Sequence, residues 1–148
     1  MNTLYLQPAG KVLSADTDSL GLEQLTKETV QSSKEQRVLI WGSGVMGKAL
    51  KGILGECADL FSVRNEKSKE GAIQKDYDLV FWCAGLSADP PNLLSSPRVL
   101  IDLDYKESSE AREVALSWGS DYISGEAFFK KQAQAQQDFW LQASKECI

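Results

Sequence analysis

Residues 37–41 read RVLIW, an apolar run with almost no alternation, and the chain then continues GSGVMGKALKGIL, where Met46, Ala49, Leu50 and Ile53 recur at helical spacing. An apolar run without alternation is what a strand buried on both faces of a parallel sheet requires, and the spacing after it predicts a helix opening directly from the glycines. The order then repeats. ADLFSV (58–63), YDLVFWCA (77–84) and RVLIDL (98–103) read as further strands, and SSEAREVALSWG (108–119) as a helix stopped by Gly119. DYI is a short strand, and a long helix runs from about Glu126 to near Lys145. Upstream, TLYL and KVLSA flank a turn at Pro8, Ala9 and Gly10 and predict a hairpin. A helix fits from about Ser19 to Gln31, with Leu20, Leu25 and Val30 among its apolar positions and the polar run SSKEQ closing it.

Strands alternating with helices predict an α/β fold, doubly wound around a mostly parallel sheet with helices on both faces. Ligands of such sheets bind outside the carboxyl ends of the strands. The stretch between the second and third of the parallel strands is short, Asn65 to Tyr77, with room for one short helix and a third strand in question.

Composition narrows the partners. With 148 residues, 43% of them hydrophobic, the chain fits one domain with a sizeable core. A formal net charge of -5 argues against a large nucleic-acid footprint, which needs clustered Lys and Arg, and points to small-molecule or protein partners. No apolar run approaches a membrane span, and MNTLYLQPAG lacks a basic, apolar leader, so the expected location is cytoplasmic, with no membrane partner. Cys57, Cys83 and Cys147 are odd in number, widely spaced and without a C-x-x-C pair, and read as reduced thiols rather than metal ligands. Histidine is absent, so any proton transfer falls to Asp, Glu, Lys, Tyr or Cys.

Gly42, Gly44 and Gly47 in GSGVMG match G-x-G-x-x-G, a weak signal alone that gains meaning between a buried strand and a helix. The first glycine permits a tight turn, the second lets backbone approach a pyrophosphate, and the third allows close helix packing. Gly42, Ser43, Gly44, Val45, Met46 and Gly47 are therefore expected to cradle a dinucleotide at the helix N-terminus. An NAD site of this type has Asp or Glu about twenty residues further on. Here FSVRNEKS puts Arg64 in that place, with Asn65 beside it and Lys67 near, which suits a 2′-phosphate and predicts NADP as cofactor. The bland alternatives are a geometric glycine turn and a solvated strand-end arginine.

The stretch ADTDSLGL, residues 15–22, sets Asp16 and Asp18 just ahead of a helix. Helix capping accounts for such carboxylates; a metal does not, since no further spaced ligands complete an oxygen cage. The wider segment GKVLSADTDSLG resembles the G-K-x-x-G-x-N-T-D-G-x-G segment of shikimate dehydrogenases, with Thr17, Asp18 and Gly21 matching. Asn2 and Thr3 resemble that family's V-N-T. LIDLDYKESS is similar to its D-x-x-Y stretch through Asp102 and Tyr105, and GEAFFKKQAQAQQDFW to G-x-x-M-L-x-x-Q-A-x-x-Q-x-x-x-W through Gly125, Gln132, Ala133, Gln136 and Trp140. The matches follow the family's order along nearly the whole chain.

The resemblance implies a Rossmann-type NADP-binding domain over residues 1–148, with a substrate-rim segment (1–18), a core (37–125) and a C-terminal helix (126–145). It implies that Asn2, Asp18 and Gln132 contact shikimate or 3-dehydroshikimate and that Tyr105 lines the cleft. The glycine loop, Arg64, Asn65 and Gly125 would hold NADP. Asp18 would be the catalytic carboxylate, paired in the family with a lysine. That lysine, in a P-x-K motif, and the S-x-S carboxylate motif are not in this sequence, so the family's N-terminal catalytic half is an expected partner. Departures are Asp16 for Asn, Ser19 for Gly, and WCAG with Trp82 in place of the Asn of N-A-T-P/S. The alternatives are the nucleotide domain of another NADP dehydrogenase, such as glutamyl-tRNA reductase, and a non-catalytic nucleotide-binding module.

Overall fold

A computed structural model describes residues 2–8, 10–30, 36–63, 73–85, 89–104 and 109–145. The chain divides into two compact units, Met1–Thr29 with Ala127–Ile148, and Val30–Glu126.

In the second unit β3 (Val38–Trp41), β4 (Ala58–Phe61), β5 (Leu79–Trp82), β6 (Val99–Asp102) and β7 (Asp121–Ile123) form one parallel sheet in the order β4-β3-β5-β6-β7. Every residue of β3, β5 and β6 is buried, which is why these segments carry apolar side chains on both faces. Helix α2 (Val45–Leu54) leads from β3 to β4, and α3 (Glu110–Trp118) from β6 to β7. Ser109 caps α3 by accepting from the Ala111 N–H, and Gly119 ends it in the left-handed conformation (φ 69°) that glycine adopts without strain. β3, β4, β5 and β6 are each shorter than the run that predicts them by a residue or more, because the flanking residues turn into loops, while β7 has the three residues expected of it. Residue 73 makes an isolated parallel bridge to Leu93, and the segment before it, 64–72, lies outside the described residues.

One side of the sheet packs Leu39, Trp41, Val80, Trp82 and Leu100 with Ala111 and Ala115 of α3, Ile73 and Tyr77. At the sheet's β4 side, Asp59 accepts from Lys75 Nζ (2.9 Å) and Tyr77 Oη (2.8 Å). Burial opposes the Asp59 charge, but these two hydrogen bonds outweigh it and hold the carboxyl below its ordinary value of 3.8; burial and Asp59 together raise the Tyr77 hydroxyl. A carboxyl depressed in the folded state stabilises above its unfolded pKa, and that stability is lost as pH falls through the lower folded value. Urea unfolding at pH 6 and pH 3 should therefore show a loss at the acid end that Asp59→Asn reduces by about 0.2 to 1 kcal/mol, the scale of a part-exposed ion pair. An unchanged acid loss in the variant would remove Asp59 from the account.

In the first unit β1 (Thr3–Leu6) and β2 (Val12–Ala15) form an antiparallel hairpin. Helix α1 (Thr17–Thr29) starts two residues earlier than the apolar pattern places it, and buries Gly21, Leu22 and Leu25 while Leu20 is exposed. The reason is Asp16, which accepts from the Ser19 N–H and hydroxyl and so fixes the first turn. Helix α4 (Gly125–Lys145) begins at the end of the second unit and continues through the first. Gly21 allows α1 to lie close to α4, since a Cβ there would stand 3.0 Å from the Gln132 backbone nitrogen. No helix of the described residues is long and apolar enough to cross a membrane.

Candidate functional site

The glycine loop sits at the carboxyl ends of β3 and β5, beside the strand-order reversal created when β4 and β5 flank β3 on opposite sides. Its three glycines do different work. Gly42 has φ 120°, and a Cβ there would lie 2.6 Å from the Cys83 carbonyl carbon, so the loop presses against the backbone after β5. Gly47 packs so tightly that a Cβ would fall 1.9 Å from the Gly42 carbonyl oxygen. At Gly44 a Cβ would meet nothing within 4 Å. The backbone there is open on the outside and close-packed beneath, which is the shape a ligand's phosphates need. Gly44 is the N-cap of α2, offers no side chain to its free amides, and no acidic residue occupies the first turn. The positive helix end thus faces outward without a competing carboxylate, and Ser43, Val45 and Met46 complete the rim, Val45 being 85% exposed. These residues fit a dinucleotide pyrophosphate.

Further along the same strand ends, Trp82, Ala84, Gly85, Asp102, Asp104, Ser109 and Glu110 line a small pocket. Trp82, at the position where the N-A-T-P/S pattern has Asn, is buried in register with Trp41 and belongs to the core beneath α3, so its bulk is absorbed by packing. Asp102 is fully buried, with Oδ1 accepting from the Asp104 N–H (2.8 Å) and Oδ2 from the Tyr122 hydroxyl (2.9 Å). The first bond is the local turn cap that its strand-end position suggests; the second ties β6 to β7. Burial and the Asp102 bond push the Tyr122 hydroxyl up to about 12, and burial pushes the Cys83 thiol up to about 12, so that thiol is no nucleophile at neutral pH. Gly125 is buried where α4 starts, just past β7. Arg64, Asn65 and Tyr105 lie outside the described residues, as do Lys67 and Cys147.

The first unit brings together most of the residues expected to meet substrate. Gln132 Nε2 donates to Asp18 Oδ1, joining positions 114 apart in sequence. The close approach at Gly21 makes this possible: Asp18 lies one turn before it on the same side of α1. Asn2 Oδ1 accepts from the Thr17 N–H (2.9 Å) and the Thr17 hydroxyl (2.6 Å), so Asn2 serves the first turn of α1 from outside the helix. Asp16 is exposed and engaged with Ser19, whose bonds lower its pKa; it does not share partners with Asp18. Trp140 donates its indole N–H to the Leu4 carbonyl (3.3 Å).

Sequence reasoning assigned no role to Tyr122, Ser109 or the Thr3–Thr17 pair. The available signals were the motif matches at Thr3, beside Asn2, and at Thr17, within the Asp-Thr-Asp run; Tyr122 meets Asp102 only through the sheet order.

The sequence matches no protein-family profile and no curated protein. Solved structures do resemble the fold. A chorismate mutase/shikimate 5-dehydrogenase fusion protein from Clostridium acetobutylicum aligns with TM-score 0.70 and 17% identity over 94% of this chain and 58% of that one. A shikimate dehydrogenase in complex with NADP+ aligns with TM-score 0.66 and 18% identity, over 93% of this chain and 59% of that one. Quinate dehydrogenase from Corynebacterium glutamicum in complex with NAD aligns with TM-score 0.60 and 15% identity, over 90% and 59%. The chain therefore spans about three-fifths of the length of each. Its fold is the Rossmann-type α/β fold that shikimate and quinate dehydrogenases share.

Proposed function

We propose that this chain is the NADP-binding part of a shikimate dehydrogenase, an oxidoreductase that interconverts 3-dehydroshikimate and shikimate in aromatic amino acid biosynthesis. The observation that carries the reading is the hydrogen bond between Asp18 and Gln132: two residues singled out from separate motifs converge in space. The fold likeness and the open backbone at Gly44 support the nucleotide half of the reading.

On this reading the glycine loop and α2 hold the pyrophosphate, Arg64 the 2′-phosphate, and NADPH supplies a hydride when bound. Asn2, Asp18 and Gln132 orient the substrate's oxygens. Asp18 accepts from Gln132, which fixes one carboxylate oxygen and leaves the other for a substrate hydroxyl. The proton for the developing alkoxide is assigned to the lysine of the N-terminal catalytic half, the proposed partner, which the solved relatives' greater length leaves room for. The WCAG stretch, with Trp82 where the pattern has Asn, favours, as a second reading, a nucleotide-binding module without catalysis.

Cofactor choice tests the nucleotide assignment. Calorimetry should show NADPH binding more tightly than NADH, by roughly 10- to 100-fold, and Arg64→Ala should erase that preference, the loss of a charged hydrogen bond costing about 1.5 to 3 kcal/mol. Equal affinities in the unmutated chain would overturn the NADP assignment.

A further inference from the structure

The Asn2 carboxamide is held in one orientation by groups that no binding role has claimed. The Thr17 backbone N–H only donates, so the Asn2 atom it meets at 2.9 Å is the carbonyl oxygen. The same oxygen lies 2.6 Å from Thr17 Oγ1 and 3.3 Å from Thr3 Oγ1. The two threonine hydroxyls are 2.8 Å apart, and both residues are buried. Each hydroxyl has one proton. The shortest contact assigns the Thr17 proton to Asn2, and the Thr3 proton then goes mainly to Thr17 Oγ1. The chain Thr3 to Thr17 to Asn2 therefore runs in one direction and ends on Oδ1, while Nδ2, the other branch of an exposed side chain, has no partner among the described residues.

We propose that the Thr3 and Thr17 hydroxyls form a positioning relay that locks Asn2 with Nδ2 outward, so that Asn2 can only donate to a ligand hydroxyl or carbonyl oxygen and never accept from one. The ligand part of this inference rests on the reading that Asn2 meets substrate; the relay itself does not. Asp18, whose carboxylate accepts, supplies the opposite polarity in the same unit, and a polyhydroxylated ligand offers groups for both.

The test is a titration of the 15N-labelled full chain with shikimate, following the Asn2 side-chain amide signals. Asn2→Asp keeps an oxygen for Thr17 and replaces the outward donor with an acceptor, so it should retain the melting temperature and lose shikimate affinity by about tenfold or more. Thr17→Val should shift or split the Asn2 amide signals and weaken shikimate binding by up to about tenfold with NADPH affinity unchanged, while Thr17→Ser restores both. Undisturbed Asn2 amide signals in Thr17→Val would overturn the relay. Equal shikimate affinity in Asn2→Asp would overturn the donor role. If shikimate leaves the Asn2 signals unmoved even with the N-terminal catalytic half joined upstream of Asn2, the substrate reading fails instead, and the Thr17→Val amide signals, read without ligand, still decide the relay.

Discussion

Gly44→Val should abolish dinucleotide binding while the melting temperature stays nearly unchanged, and Gly47→Ala should unfold the same loop from within. The contrast follows from what surrounds each glycine. A side chain at Gly44 meets no atom of the protein within 4 Å, and the backbone there has φ -68°, which any residue adopts. Folding has no reason to object. The valine methyls would instead fill the space above the loop, between the helix N-terminus and any phosphate, and hold an anion beyond hydrogen-bond reach. At Gly47 a single methyl would overlap the Gly42 carbonyl oxygen, a backbone atom fixed by the Gly42 N–H bond to Phe61. Overpacking of that kind should cost about 3 kcal/mol or more. For a chain of this size that lowers the melting temperature by roughly 10 °C. Calorimetric titration with NADPH and thermal melts of both variants separate the two effects. Full NADPH affinity in a well-folded Gly44→Val chain would place the nucleotide elsewhere.

The same glycines show what the sequence could convey. The buried run before Gly42 and the helical spacing after Gly47 made the strand, the turn and the helix legible, because hydrophobic period and glycine punctuation are local signals. The hairpin, the parallel strands and the stop at Gly119 were legible for the same reason. The first residue of α1 was not. Its position depends on Asp16 outcompeting the apolar pattern for control of the first turn, and capping chemistry at Asp16, Asp18 and Ser19 reads alike from sequence. Long-range pairs were less legible still. That Asp18 and Gln132 both matter came from motif resemblance, but that they touch depends on Gly21, whose missing side chain brings α1 against α4. Tyr122 on Asp102 and Thr3 on Thr17 join segments 20 and 14 residues apart, and no local pattern marks such partners.

The chain by itself should bind NADPH yet fail to reduce 3-dehydroshikimate at a useful rate, and Asp18→Ala should prove far more damaging than Asp16→Ala once turnover is restored. Reduction needs the carbonyl held at the reacting carbon and a proton delivered to its oxygen. Asn2, Asp18 and Gln132 supply contacts, but the sequence holds neither the S-x-S carboxylate motif nor the P-x-K lysine of the proposed partner half. Asp18 does not replace that lysine, because its Oδ1 already accepts from Gln132 and an accepting carboxylate delivers no proton. Adding the N-terminal catalytic half of a shikimate dehydrogenase, joined upstream of Asn2, should restore turnover. Asp18→Ala in that joined protein should then lower kcat by about 10²- to 10⁴-fold, the range for a disabled acid/base pair, because the lysine that moves the proton loses the carboxylate it pairs with. Asp16→Ala should change kcat little and appear in stability instead, at about 0.5 to 2 kcal/mol for a lost N-cap. The two aspartates stand two residues apart but differ in setting, Asp16 exposed ahead of the helix with Ser19 as its partner and Asp18 part-buried in the first turn on Gln132, so the comparison separates a cap from a site carboxylate. Robust reduction by the chain alone would refute the division of labour between the two halves. Equal effects from the two aspartates would reduce Asp18 to a second cap of its helix.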